Sequence, residues 1–269
     1  MVSGGTIISI IIQGIIAFGL PIFFLVFLLK KYPKSWKPML VGAGIFFVFA
    51  QVLEAILHQV VFFVDIFTTN WLQNPLVYAI YASLAAGVFE EIGRFIGFRF
   101  LLKKFRSWKD GIAYGIGHGG IESMLVVGMI ASSNIVLAFL INFGVFDFLY
   151  DIADSNTIEE LSGIKFILLS TPGYMFILGG VERIIVFPIQ IALSLIVLYG
   201  VRNRKYIFLL YAIVFHAVVD FLPALSHNLN INIFWVEGYL LVMAIISVIF
   251  IFKSKTIFSR SGGESLEHT

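Results

Sequence analysis

The chain has 269 residues, 59% of them hydrophobic and 13% charged, with a mean hydropathy of +0.99. A soluble domain carries roughly 25% charged residues, so the composition excludes one and points to a membrane protein with many spans. The lack of cysteine excludes disulfides, thiolate metal sites and a cysteine nucleophile, and a net charge of only +2 gives no reason to expect a nucleic-acid partner.

Apolar runs near the roughly 20 residues that cross a bilayer fall at about 6–29, 38–65, 75–102, 110–132, 181–201, 206–226 and 234–252. The first run is too long for a signal-peptide core and has no basic residue before it, so it reads as a retained span. Residues 133–180 are ambiguous. Two apolar pieces, 135–148 and 166–178, flank Asp151, Asp154, Glu159 and Glu160. They are compatible with re-entrant or interfacial segments, or with one more pair of short spans. The expected fold is all-α: a polytopic membrane bundle of seven to eight helices, with residues 1–252 as one transmembrane domain and 253–269 as a polar cytoplasmic tail.

Basic residues predict the orientation. Lys30, Lys31, Lys34 and Lys37 fall in the first loop, Lys103, Lys104, Arg106 and Lys109 in the third, and Arg202, Arg204 and Lys205 in the fifth. Lys253, Lys255 and Arg260 follow the last span. With seven spans in order these share one side, which the positive-inside rule makes cytoplasmic, leaving the N-terminus outside. The expected location is the cell membrane of a prokaryote.

The polar residues left inside the spans are few: Glu54 and His58; Glu90, Glu91, Arg94 and Arg99; His118 and Glu122; Glu182 and Arg183; His216 and Asp220. An ionisable side chain in a bilayer is costly and marks a candidate functional site. At 1.5 Å per residue from the nearest cytoplasmic basic residue, Glu90 and Glu91 lie roughly 18–20 Å deep and Arg94 about 14 Å. His118 and Glu122 come to about 14 and 20 Å, and His216 and Asp220 to about 17 and 23 Å. Three spans therefore bring polar groups to one band, which predicts a shared intramembrane site.

The spacing agrees. His118–Glu122, His216–Asp220 and Glu90–Arg94 are i,i+4 pairs that share a helix face. Glu91, turned by about 100°, is expected to face a cavity as a water-activating base while Arg94 neutralises Glu90. Gly111, Gly115 and Gly119 form a small-residue ridge expected to press His118 against the glutamate helix. Arg99 lies near a span end, where it snorkels. Gln51, Glu54 and His58 form a polar stripe read as cavity lining. Glu182–Arg183 reads as an interfacial pair near a helix end, or as part of the site if its helix begins earlier. Ser123 and Ser132 lack a base on their face, which argues against a serine nucleophile.

Two carboxylates and two histidines in a cavity suit the activation of water. The segments Phe89-Glu90-Glu91-Ile92-Gly93-Arg94, Gly115-Ile116-Gly117-His118-Gly119-Gly120-Ile121-Glu122, Glu182-Arg183 and His216-Ala217-Val218-Val219-Asp220 resemble the YhfC family of glutamic-type intramembrane proteases, which is similar to type II CAAX prenyl endopeptidases and PrsW proteases. The resemblance implies an endopeptidase acting on membrane proteins or peptides without a cofactor. Glu90 or Glu91 with His118 would activate water, and His216 with Asp220 would hold the oxyanion or position the nucleophile. Arg94, Glu122, Glu182 and Arg183 would support them. Arg94 stands one residue closer to the glutamates than in the CAAX enzymes, and Asp220 replaces an asparagine. Two alternatives remain open at this point: a zinc protease with Glu91, His118, Glu122 and His216 as ligands, and a proton-coupled transporter.

Overall fold

The computed structural model describes residues 1–67 and 70–262. Among the described residues every regular element is helical. The helices are α1 (Gly4–Lys31), α2 (Trp36–Phe46), α3 (Ala55–Phe67), α4 (Pro75–Ile96), α5 (Trp108–Glu122), α6 (Met129–Asn142), α7 (Phe148–Ile152), α8 (Ser155–Ser170), α9 (Gly173–Asn203), α10 (Ile207–Asn228) and α11 (Ile233–Gly262).

Three π-helical segments interrupt this pattern. Phe47–Glu54 joins α2 to α3, Gly97–Leu101 ends α4, and Ser123–Gly128 joins α5 to α6. By length and composition seven helical stretches among the described residues qualify as membrane spans, with boundaries close to those expected. Piece 135–148 does not form a span of its own. It lengthens the fourth stretch to Asn142 and then turns at Gly144, whose φ is +74°. Piece 166–178 is split between α8 and α9 at Thr171-Pro172, where proline cannot continue a helix. The fifth span therefore begins at Gly173, eight residues earlier than 181. The seventh stretch runs to Arg260 rather than 252, so the first part of the expected tail is helical. The remainder of that tail lies outside the described residues.

Local chemistry explains the helix starts near the site. Asn74 precedes Pro75, and its Oδ1 accepts from the amides of Leu76 (2.9 Å) and Val77 (3.3 Å). That combination of a capping asparagine and a first-turn proline begins α4 sharply. At α5, Ser107 and Asp110 cap each other reciprocally, with Ser107 N donating to Asp110 Oδ2 at 2.9 Å.

The chain divides into two compact units. One comprises Met1–Phe23 and Ser123–Ile184; the other comprises Phe24–Glu122 and residues from Ile185 onward. The first unit packs Ile10, Ala131, Ala138, Leu168 and Phe176 into an apolar core. Several of its polar groups are matched by backbone. Asn142 accepts from Val2 N (2.6 Å) and donates to Val2 O (3.0 Å), and the Ser123 hydroxyl donates to Ala17 O at 2.9 Å.

In the second unit α10 lies along α4 and α2 along α5, with the latter half of α9 almost wholly buried. Glycine permits the first crossing: a Cβ on Gly87 would stand 2.8 Å from the carbonyl oxygen of Ile213. The Gly111–Gly115–Gly119 ridge faces α9 rather than α4, since a Cβ on Gly115 would stand 2.6 Å from Ile191 Cα. The expected partner of that ridge is thus corrected.

Basic segments gather within this unit. Lys31 and Lys109 both lie over the Tyr32 ring, Lys37 over Phe105, and Arg202 over Phe258. Trp108 Nε1 donates to Ser254 Oγ at 2.8 Å. Four basic segments distant in sequence therefore meet at one end.

Candidate functional site

The second unit joins α4, α5, α9 and α10 around one guanidinium. Arg94 is fully buried, as are Glu91 and His118, and His216 nearly so. Arg94 Nη2 donates to Glu90 Oε2 at 3.2 Å, and Nη1 pairs with Glu91 Oε1 at 3.3 Å. The same guanidinium donates to the backbone oxygen of Gln190 at 3.4 Å and to its side-chain Oε1. The expected division, with Arg94 serving Glu90 alone and Glu91 facing elsewhere, is not what the geometry contains. A guanidinium offers five donors in a planar fork, so one arginine reaches carboxylates at both i−3 and i−4.

The histidines separate the two glutamates instead. His118 Nε2 lies 2.8 Å from Glu90 Oε2, while His216 Nδ1 lies 2.7 Å from Glu91 Oε1. His216 Nε2 faces Asp220 Oδ2 at 3.2 Å and Glu90 Oε2 at 4.0 Å. Glu90, Glu91, Arg94, His118, His216 and Asp220, singled out in the sequence by depth, therefore form one continuous network. Aromatic rings hold His118 in place: Phe46 meets it edge-on at 5.1 Å, and Tyr114 stacks at 6.2 Å.

The surroundings of His118 Nε2 are chemically unusual. It lies 2.7 Å from Arg94 Nη2 as well as 2.8 Å from Glu90 Oε2. As an acceptor it satisfies the guanidinium but turns a lone pair on the carboxylate. As a donor it satisfies the carboxylate but opposes the guanidinium N–H. A cation bound between imidazole and carboxylate would relieve the first case.

Glu122 completes a candidate donor set for such a cation. One ligand atom each from Glu90, His118 and Glu122 lie within 4.8 Å of one another. One imidazole and two carboxylates are a donor set that suits zinc. This set takes Glu90 where the sequence-based alternative took Glu91, and it leaves out His216. His118 Nδ1 is buried without a hydrogen-bond partner.

Glu182 and Arg183 pair with each other in the first unit. They sit in the body of α9, nine and ten residues after its start, rather than near its end. The hydroxyls of Ser123 and Ser132 donate to the backbone oxygens of Ala17 and Gly128, in keeping with the argument against a serine nucleophile. Gln190 was missed, because a search for charged residues and histidines passes over a neutral amide. Its signal is a polar side chain two residues after Pro188 in the otherwise apolar stretch from Ile184 to Leu193.

Residues 16–240 match the family described as YhfC intramembrane metalloprotease. The chain is 43% identical over 260 residues to a Bacillus subtilis (strain 168) protein named "Uncharacterized membrane protein YhfC", covering 96% of this chain and 100% of that one. No solved structure matches the chain. The family description names a metal-dependent enzyme where the resemblance implied a glutamic one, so an expectation of no cofactor lacks support. Seven apolar spans and these two matches make the chain an integral membrane protein that belongs to the YhfC family.

Proposed function

We propose that this protein is an intramembrane endopeptidase that hydrolyses peptide bonds of membrane proteins or membrane-bound peptides. The observation that carries this reading is the network in which α4, α5 and α10 bring two glutamates and two histidines into hydrogen-bond contact. The expected cell-membrane location and outside N-terminus belong to the same proposal. The gathering of four basic segments at one end supports the orientation.

The reading favoured here is metal-assisted. Glu90, His118 and Glu122 would hold a divalent ion such as zinc, which when bound polarises a carbonyl and acidifies water. The remaining residues have separate tasks. Glu91, bonded to His216, takes the proton of the attacking water and returns it to the departing amine as the C–N bond breaks. His216, bonded to Glu91 through Nδ1, turns its Nε2–H from Asp220 to the developing oxyanion. Arg94, itself anchored by Gln190, holds both glutamates against the charge change. One observation favours the glutamic alternative, in which Glu90 or Glu91 acts without metal: Arg94 lies against both carboxylates and against His118.

Two measurements test the proposal. Membrane proteomes from cells expressing wild type or Glu91→Gln should differ in peptides with new termini inside or beside spans. Identical proteomes alongside solute uptake that is lost on Glu91→Gln would instead favour transport. Metal content of the purified protein then separates the two protease readings.

A further inference from the structure

A second polar cluster lies in the same unit. His58 Nδ1 lies 2.7 Å from the Tyr81 hydroxyl, and His58 Nε2 lies 3.3 Å from Glu54 Oε1. Gln51, expected on the same stripe, lies within the π segment and is exposed while Glu54 is buried, so it does not share their face. Glu54 is the last residue of the π segment Phe47–Glu54, and such segments are frequent at functional sites. It is close enough to Glu90 and His216 to interact electrostatically with both.

Depth orders these groups. Tyr81 lies six residues inside α4 from Pro75, and His58 seven residues before Asp65, which puts both about 9–10 Å from the α3–α4 end. Glu54 is one turn deeper, at about 16 Å, and Glu90 deeper again, at about 22 Å. Exposure falls along the same line: the His58 side chain is 28% exposed, that of Glu54 11% and that of Glu90 9%. A polar ladder of this kind is costly against lipid, and it ends at a network whose proposed chemistry consumes one water per bond cleaved.

We propose that Glu54, His58 and Tyr81 line the path by which water reaches the Glu90–Glu91 site from the α3–α4 end of the bundle. The inference extends the hydrolytic reading but does not share its assay. The chain has no natural cysteine, so single cysteines report on accessibility. His58→Cys and Tyr81→Cys would be treated with a charged, membrane-impermeant maleimide in intact cells and in inside-out vesicles. Gln73→Cys, in the exposed segment just before α4, marks which preparation presents that end.

Ile56→Cys and Val60→Cys serve as controls, because both side chains are more than half exposed and bracket His58 on the lipid-facing side of the same helix. In the preparation that labels Gln73→Cys, His58→Cys and Tyr81→Cys should react at least about tenfold faster than the controls, since alkylation needs a hydrated thiolate. Equal rates at all four positions overturn the path, as does labelling of His58→Cys and Tyr81→Cys by a lipid-soluble maleimide alone. The two test positions lie on different helices, so loss of one variant leaves the other informative. Labelling needs no substrate, so a failed protease reading leaves this result standing.

Discussion

The two units bury polar groups of different kinds. In the first, several amides and hydroxyls are matched by backbone, as Asn142 is by Val2 and Ser123 by Ala17, and the charged residues Glu182 and Arg183 lie against each other. In the second, one guanidinium stands against two carboxylates, with two histidines and Asp220 joined to the same network. In the first arrangement Glu182 and Arg183 offset each other's charge. The second holds more carboxylates than Arg94 offsets, so it calls for a proton or a cation. That difference separates polar groups that hold helices together from polar groups arranged for chemistry.

The contrast can be broken by substitution. The largest expected effect is on cleavage. Glu91→Gln should lower turnover by about 10²–10⁴-fold, the range for loss of a general base, with the fold intact by circular dichroism. Next comes Arg94→Leu, which leaves two buried carboxylates without their shared guanidinium. Loss of one partner of a buried pair costs about 3–5 kcal/mol, so thermal unfolding in detergent should shift down clearly, and adding Glu90→Gln should restore part of the loss.

Smaller effects belong to the first unit. Asn142→Leu should cost about 1–2 kcal/mol by stranding the Val2 amide while leaving cleavage at its wild-type rate. An equal loss of turnover there would erase the distinction between the units. The smallest effect concerns α8, whose start is capped by Asp154 accepting from Thr157 N at 2.9 Å. That hydrogen bond holds the Asp154 carboxyl below its ordinary value of 3.8. The cap is therefore fully present above that pH and fades as pH falls through the lowered value. The protection factor for hydrogen exchange at the Thr157 amide, taken relative to the intrinsic rate at each pH, should be present at pH 5 and fall under strongly acidic conditions, and Asp154→Ala should lose it at both.

Much of this was legible in the sequence because hydropathy and charge report directly on a bilayer. The seven spans follow from run length, and counting residues from the basic loops placed His118, His216 and the glutamates at one level. Three features were hidden. Arg94 touching both glutamates depends on the rotamer of a long side chain, which spacing does not fix. The partner of the glycine ridge depends on which helix packs beside α5, and helical periodicity names a face without naming its neighbour. The early start of α9 turned on Thr171-Pro172, a break inside a stretch whose apolar residues run on either side of it.

The surplus of carboxylates over Arg94 is the claim on which the metal-assisted reading rests. Elemental mass spectrometry of the purified protein tests it most directly, comparing wild type with His118→Ala, Glu122→Gln and the first-unit control Asn142→Leu. The account predicts about one equivalent of a divalent metal, zinc being the best match to the donor set, in wild type and the control, and its loss in the other two. Wild-type protein that cleaves its substrate with no bound metal, and is insensitive to chelators, would contradict it and return the chemistry to the glutamates alone.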